Sequence, residues 1–234
     1  MAALRDDGEV AAMTPPILYE DNHLLVAIKP HMVPSQADAS GDPDMLTLLK
    51  AYIKEKYQKP GEVYLGLVHR LDRPAGGVMV FARTSKAAAR LAAQMQEGRF
   101  QKTYLAVVTG NPPPAGDWED DLLKDEKSNT VHVVPPGKGK RAHLAFRVLG
   151  RREGMALCQI QLFTGRPHQI RVQFASRGFA LYGDARYGGG EGEHLALFSQ
   201  KIELEHPTKK IPLVFSEIPE GEPFSIFARE LARL

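Results

Sequence analysis

Cysteine is almost missing from this chain: Cys158 is the single one in 234 residues, which rules out an internal disulfide and any thiolate-rich metal site within one chain. It stands in the apolar run Met155-Ala156-Leu157-Cys158-Gln159-Ile160 and reads as a core residue rather than a nucleophile. No segment reaches the roughly 18 apolar residues of a membrane-spanning helix, so no membrane partner is expected. The opening stretch, Met1 to Met13, carries Arg5, Asp6, Asp7 and Glu9 and lacks a secretory apolar core, which points to a reducing cytoplasm. A strong charge of either sign is missing too. The net charge of +2 permits a nucleic-acid partner without requiring one. His69, His168, His194 and His206 show none of the close helical spacing of a zinc motif, so no metal is expected. Nor is there an internal repeat or a low-complexity block.

With 43% hydrophobic residues, a chain of this length can bury a sizeable core, most simply in one domain. Residues 1–15 are polar, end at Pro15-Pro16 and are expected to be a disordered segment ahead of a domain over 16–234. Ile17–Glu20 and Leu24–Ile28, split by Asp21-Asn22, read as a hairpin. Apolar residues at helical spacing predict a helix over 44–57, with Asp44 as its cap. A second helix is predicted over Ser85–Glu97, ending at Gly98. Strands are expected over 64–68, 77–82, 99–108 and 194–204, and a hairpin over 142–148 and 155–163. Residues 111–140 are poor in apolar side chains, and Pro135 to Arg141 reads as an exposed basic loop. Pro167 fits the first turn of a helix that stops at Gly178, with Ile170 and Phe174 on its buried face. Pro223–Ile226 reads as a short strand and Phe227–Leu234 as a terminal helix. Strands outnumber helices without alternating regularly with them, which argues for an α+β fold around a largely antiparallel mixed sheet flanked by helices and loops.

Within His69-Arg70-Leu71-Asp72-Arg73, a carboxylate between two arginines is expected to stay ionised, which suits a nucleophile better than a general acid. Taken alone, this is equally a structural Asp–Arg pair. Three distant segments read together change the weight. His69 to Arg73, Lys102-Thr103-Tyr104-Leu105-Ala106 and Gly165-Arg166-Pro167-His168-Gln169-Ile170-Arg171 resemble, in order, the catalytic motifs of the RluA-type pseudouridine synthases. Lys29-Pro30, Gly183 to Gly188, His194 to Phe198 and His206-Pro207 resemble that family's accessory blocks.

The resemblance implies a cofactor-free isomerisation of uridine in structured RNA, ribosomal or transfer. The N-glycosidic bond breaks, the uracil rotates while held, and it rejoins through carbon 5. It further implies that Asp72 attacks the nucleotide, at the anomeric carbon or by taking a sugar proton. Tyr104 stacks on the base and assists removal of the carbon-5 proton, Arg171 pairs with Asp72, and Arg70 fills the gap left by the extruded uridine. His69, Arg73, Arg166, His168 and Gln169 complete the expected substrate-binding set, with Arg166 as a phosphate clamp.

The chain departs from the family pattern at Pro74-Ala75-Gly76, Pro167, Gln173 and Met32, the last standing where glycine is usual and a different turn is therefore expected. A stand-alone catalytic domain acting as a monomer is the expectation. Two other classes compete with it. An RNA-binding module that had lost catalysis should lack Asp72 or Tyr104, and it lacks neither. A hydrolase pairing Asp72 with His69 would leave Tyr104 and Arg171 without a task.

Overall fold

The computed structural model describes residues 14–190 and 192–234; the expectation of a disordered start falls mainly on residues 1–13, outside that range. In chain order the elements are β1 (Ile17–Glu20), β2 (Leu24–Lys29), α1 (Met45–Lys56), β3 (Gly66–Leu67), β4 (Gly76–Ala82), α2 (Ser85–Gln96), β5 (Gln101–Thr109) and β6 (Ala115–Asp125). They continue with β7 (Thr130–Val134), β8 (Lys140–Arg152), β9 (Met155–Leu162), α3 (Gln169–Ala175), β10 (Leu197–Glu205), β11 (Pro212–Ser216) and α4 (Ala228–Leu231). All strands join one sheet in the order β1-β2-β4-β10-β5-β9-β8-β6-β7, with β3 beside β4 and β11 beside β10. The β4–β10 pair is parallel and the others are antiparallel, so the α+β mixed sheet is present.

The sheet takes its core from the pleat. Every residue of β4 is buried, and its alternate side chains feed two layers. Met79 and Phe81 pack with Met45, Leu49 and Ile53 of α1; Val78 and Val80 pack with Ala87 and Leu91 of α2. Each helix begins as its sequence dictates. The Asp44 carboxylate accepts from the backbone N–H groups of Leu46 and Thr47 at 2.9 and 3.1 Å, and the Thr84 hydroxyl accepts from Ala87 N–H at 3.1 Å.

Several sequence expectations are corrected. The apolar-poor stretch after Asn111 contains β6 and β7, a long ribbon in which Leu122 and Val131 are the buried residues. A ribbon that buries so little shows no period-2 apolar pattern to read. Of the basic segment 135–141, residues 135–139 form a mostly exposed turn as expected, while Lys140 and Arg141 already belong to β8. Residues 64–68 contribute only the two-residue β3, and the terminal helix shrinks to α4. Phe224–Phe227 is a 3₁₀ turn rather than a strand, since Phe224 and Phe227, three apart, are both buried. Pro167 precedes α3, and His168 at its cap takes φ 49°. Met32 adopts φ 64°, in the left-handed region that glycine favours.

Candidate active site

The site begins with the loop between β3 and β4, whose backbone is tied down from beneath. Each carbonyl from Leu71 to Ala75 has a partner. Ser35 Oγ donates to Leu71 O at 2.9 Å and accepts from Leu71 N–H at 3.1 Å. Ala75 N–H closes a turn on Asp72 O at 2.9 Å. The fully buried Lys29 ammonium donates to Arg73 O at 2.9 Å, Ala75 O at 2.6 Å and Pro30 O at 3.0 Å. His31 Nδ1 lies 2.8 Å from Pro74 O and must carry its proton there to donate. Burial pulls the Lys29 pKa down to about 7, against the attraction of Asp72. Beyond the loop, Gly77 has φ 117°, and a Cβ there would sit 2.4 Å from Ser199 O, so glycine is what lets β4 and β10 pair in parallel.

The cation against Asp72 is neither of its sequence neighbours. Arg73 turns away to Asp38, Asp42 and Ser40, and Arg70 is exposed with no ion-pair partner among the described residues. Instead Arg171, from α3, places Nη1 3.3 Å from Asp72 Oδ2. The same guanidinium is gripped more firmly from its other side, where Nε and Nη2 each donate at 2.8 Å to the two oxygens of Asp184. Burial opposes the charge of Arg171, and Asp184 with Asp72 outweighs it, raising its pKa. Tyr187 lies under Arg171, 5.1 Å from ring centroid to guanidinium, and its hydroxyl meets His168 Nδ1 at 2.8 Å. Asp184 is thus a site residue that motif reading does not single out, although it lies inside the block Gly183 to Gly188. Lys29 and Lys102 belong to the site on the same terms, and Ser35, which no motif block contains, joins it through its bonds to Leu71.

Asp72, Arg70, Tyr104, Arg166, His168, Gln169 and Arg171 converge on one small pocket of about 80 Å³, together with Lys102. It adjoins a cleft of about 730 Å³ that adds His69, Arg73, Lys124, Asn129 and Phe163 to its walls. Tyr104 is buried, and its pKa is raised first by that burial and then by the charge of Asp72, so it enters any reaction as a neutral phenol.

Like Arg73, two more of the expected substrate contacts, His69 and Gln169, are already engaged within the protein. His69 Nε2 accepts from Val80 N–H at 2.9 Å, and burial, aided by the charge of Lys102, drops its pKa to about 3. Gln169 spends its amide on the loop, accepting from Thr164 Oγ1 at 2.8 Å and Arg166 N–H at 3.1 Å while donating to His143 O at 3.1 Å. Gln173 anchors α3 to β6 by donating to Asp120 at 2.7 Å.

The α+β sheet that carries this pocket has counterparts among solved structures. The human proteins RNA pseudouridylate synthase domain containing 4 and domain containing 1 share the fold, with TM-scores of 0.75 and 0.70 over 93% and 96% of this chain and 93% and 97% of theirs, at 21% and 19% identity. In sequence, residues 23–176 match the family described as RNA pseudouridylate synthase, and the chain belongs to that family. Among curated relatives, the uncharacterized RNA pseudouridine synthase YhcT of Bacillus subtilis is 35% identical over 87% of this chain and 68% of its own length. The ribosomal large subunit pseudouridine synthase D of Zymomonas mobilis is 35% identical over 77% and 58%, and synthase C of Vibrio vulnificus is 31% identical over 92% and 69%.

Proposed function

We propose that Asp72 starts the isomerisation of a uridine in RNA, with Arg171 holding its carboxylate and Tyr104 forming the wall on which the uracil lies. The observation that carries this reading is the Arg171 bridge. A guanidinium fixed by two bonds to Asp184 extends its remaining Nη1 to Asp72, so the carboxylate is oriented against a positive charge in a pocket with Tyr104. The net change moves one bond and one proton. The bond from the sugar carbon to uracil N1 breaks, a bond from that carbon to carbon 5 forms, and the carbon-5 proton is replaced by one on N1. No oxidant, reductant or second substrate is required, and the whole set of tasks falls within reach of a carboxylate, a phenol and a guanidinium.

The wider cleft suits a base taken out of its stack, because Arg70, Lys102, Lys124 and Arg166 line it with positive charge. The names of the Zymomonas and Vibrio relatives support large-subunit ribosomal RNA as the first substrate to test, with transfer RNA as the second. A hydrolase using His69 as its acid is disfavoured, since that imidazole is neutral and already bonded to Val80.

Asp72→Asn is expected to abolish pseudouridine formation while RNA affinity stays within about twofold. Full turnover by that variant would refute the role. Tyr104→Phe should bind RNA but fail to complete the reaction. Mapping pseudouridines in cellular RNA with and without the gene identifies the position served.

A further inference from the structure

Phe163 follows β9 at the entrance to the Gly165–Arg171 segment and is 53% exposed, although it is a large apolar ring on the wall of the substrate cleft. Its ring is not loose. It lies on the imidazole of His143, with centroids 4.3 Å apart and planes inclined by 30°. That imidazole is held in turn by Asp117, 2.7 Å from His143 Nε2, and Phe163 N–H donates to His143 O at 3.2 Å. One face of Phe163 is therefore backed by a second, anchored ring, and the ring's exposure lies on the cleft side. Arg70, Lys102, Lys124 and Arg166 share that cleft, and Lys102 Nζ stands 3.4 Å from where a Cβ of Gly165 would be.

A rigid aromatic face set among cations is the arrangement that binds unpaired nucleotides, the charges following the phosphates and the ring stacking on a base. We infer that the open face of Phe163 is a stacking platform for an unpaired base flanking the target uridine. The inference rests on the reading of the cleft as an RNA site and deepens it. A neighbour of the extruded uridine loses one of its own stacking partners, and Phe163 offers a replacement surface without reading base identity. The His143 backing matters because a ring that must first be ordered loses affinity to conformational entropy.

The test uses the full chain and a short oligouridine carrying one 2-aminopurine, whose fluorescence falls when it stacks. The wild-type protein should bind it and quench it. Phe163→Leu, which keeps an apolar side chain, should bind about 5- to 100-fold more weakly and lose the quenching, with an unchanged salt slope and melting temperature. Phe163→Trp should bind at least as tightly as the wild type, and it decides the matter should the leucine variant fold poorly. Equal affinity and quenching in wild type and Phe163→Leu, or weaker binding by a folded Phe163→Trp, would overturn the platform alone. Failure of the wild-type protein to bind any RNA would overturn the RNA reading and the platform with it.

Discussion

The floor of the cleft and its rim are built on opposite principles. On the floor, five consecutive carbonyls from Leu71 to Ala75 are bonded, and Arg171 is shared between Asp72 and Asp184. At the rim, Arg70 is exposed and, like Lys102 on the cleft wall, has no ion-pair partner among the described residues, whereas Lys124 is paired with Glu126 at 2.6 Å. Groups that must meet a developing charge at fixed distance gain from being held before the substrate arrives. Groups that meet a phosphate chain gain from staying unpaired, because a cation already committed to a carboxylate has less to offer. Local sequence does not sort the two kinds. Arg70 and Arg73 flank the same aspartate, yet one is free and the other bound to Asp38 and Asp42.

Breaking the floor should cost most at Asp184. Its loss leaves the buried Arg171 charge with only the longer bond to Asp72, and removing one partner of a buried pair costs about 3–5 kcal/mol. Asp184→Ala is expected to lower unfolding stability by that amount in urea titrations and to remove most activity, with Asp184→Asn intermediate. A variant of wild-type stability would show that the fork is dispensable. Lys29→Met ranks next. It strips three carbonyls of their donor, and buried acceptors left bare cost about 1–3 kcal/mol each before water or the loop relaxes around them. The expected loss is about 2–4 kcal/mol, with activity falling further than stability explains, because the Asp72 loop loses its support. Equal activity at equal folded fraction would argue against that coupling.

A smaller effect is expected from acid. The His69 imidazole titrates at about 3 in the folded chain, below the unfolded value of about 6.5. Between those values the unfolded state binds the extra proton, so the contribution to stability is complete above pH 6.5 and is lost as pH falls toward 3. His31 and His168 are lowered in the same direction by burial. Unfolding stability should therefore drop between pH 6.5 and 4.5, by about 2 kcal/mol for His69 alone. His69→Gln should flatten that part of the profile. An unchanged slope would mean that the imidazole is not the group being titrated.

How much of this is legible in the sequence depends on whether the relevant signal is local. Asp44 and Thr84 announce α1 and α2 because a cap and its helix are neighbours in the chain. The three motif blocks name Asp72, Tyr104 and Arg171, and the structure brings all three to one pocket. What stays hidden is non-local. Local spacing offers the two arginines beside Asp72 as its partners, and they make no ion pair with it; the pairing with Arg171, 99 residues away, is legible only through the family resemblance. Asp184 stands inside a family block, but nothing in its neighbours says that it faces α3. The β6–β7 ribbon escapes a hydrophobic reading because its side chains are largely exposed, and Gln169 resembles a ligand although its amide is consumed by the turn it begins.

The rim supplies the smallest effect on folding and the sharpest contrast. Arg70→Ala should change unfolding stability by less than about 0.5 kcal/mol, since its side chain is exposed and unpaired among the described residues. It should nevertheless weaken RNA binding and lower the slope of log affinity against log salt by about one for every phosphate that is no longer neutralised. Arg73→Ala is the control, on the other side of Asp72 in the same loop. Its guanidinium is held by two carboxylates and the Ser40 hydroxyl, so its loss should leave the salt slope nearly as it was. Equal flattening by Arg70→Ala and Arg73→Ala would mean that Asp38 and Asp42 release Arg73 when RNA binds. The division between a committed floor and an uncommitted rim would then not extend to the loop that carries Asp72.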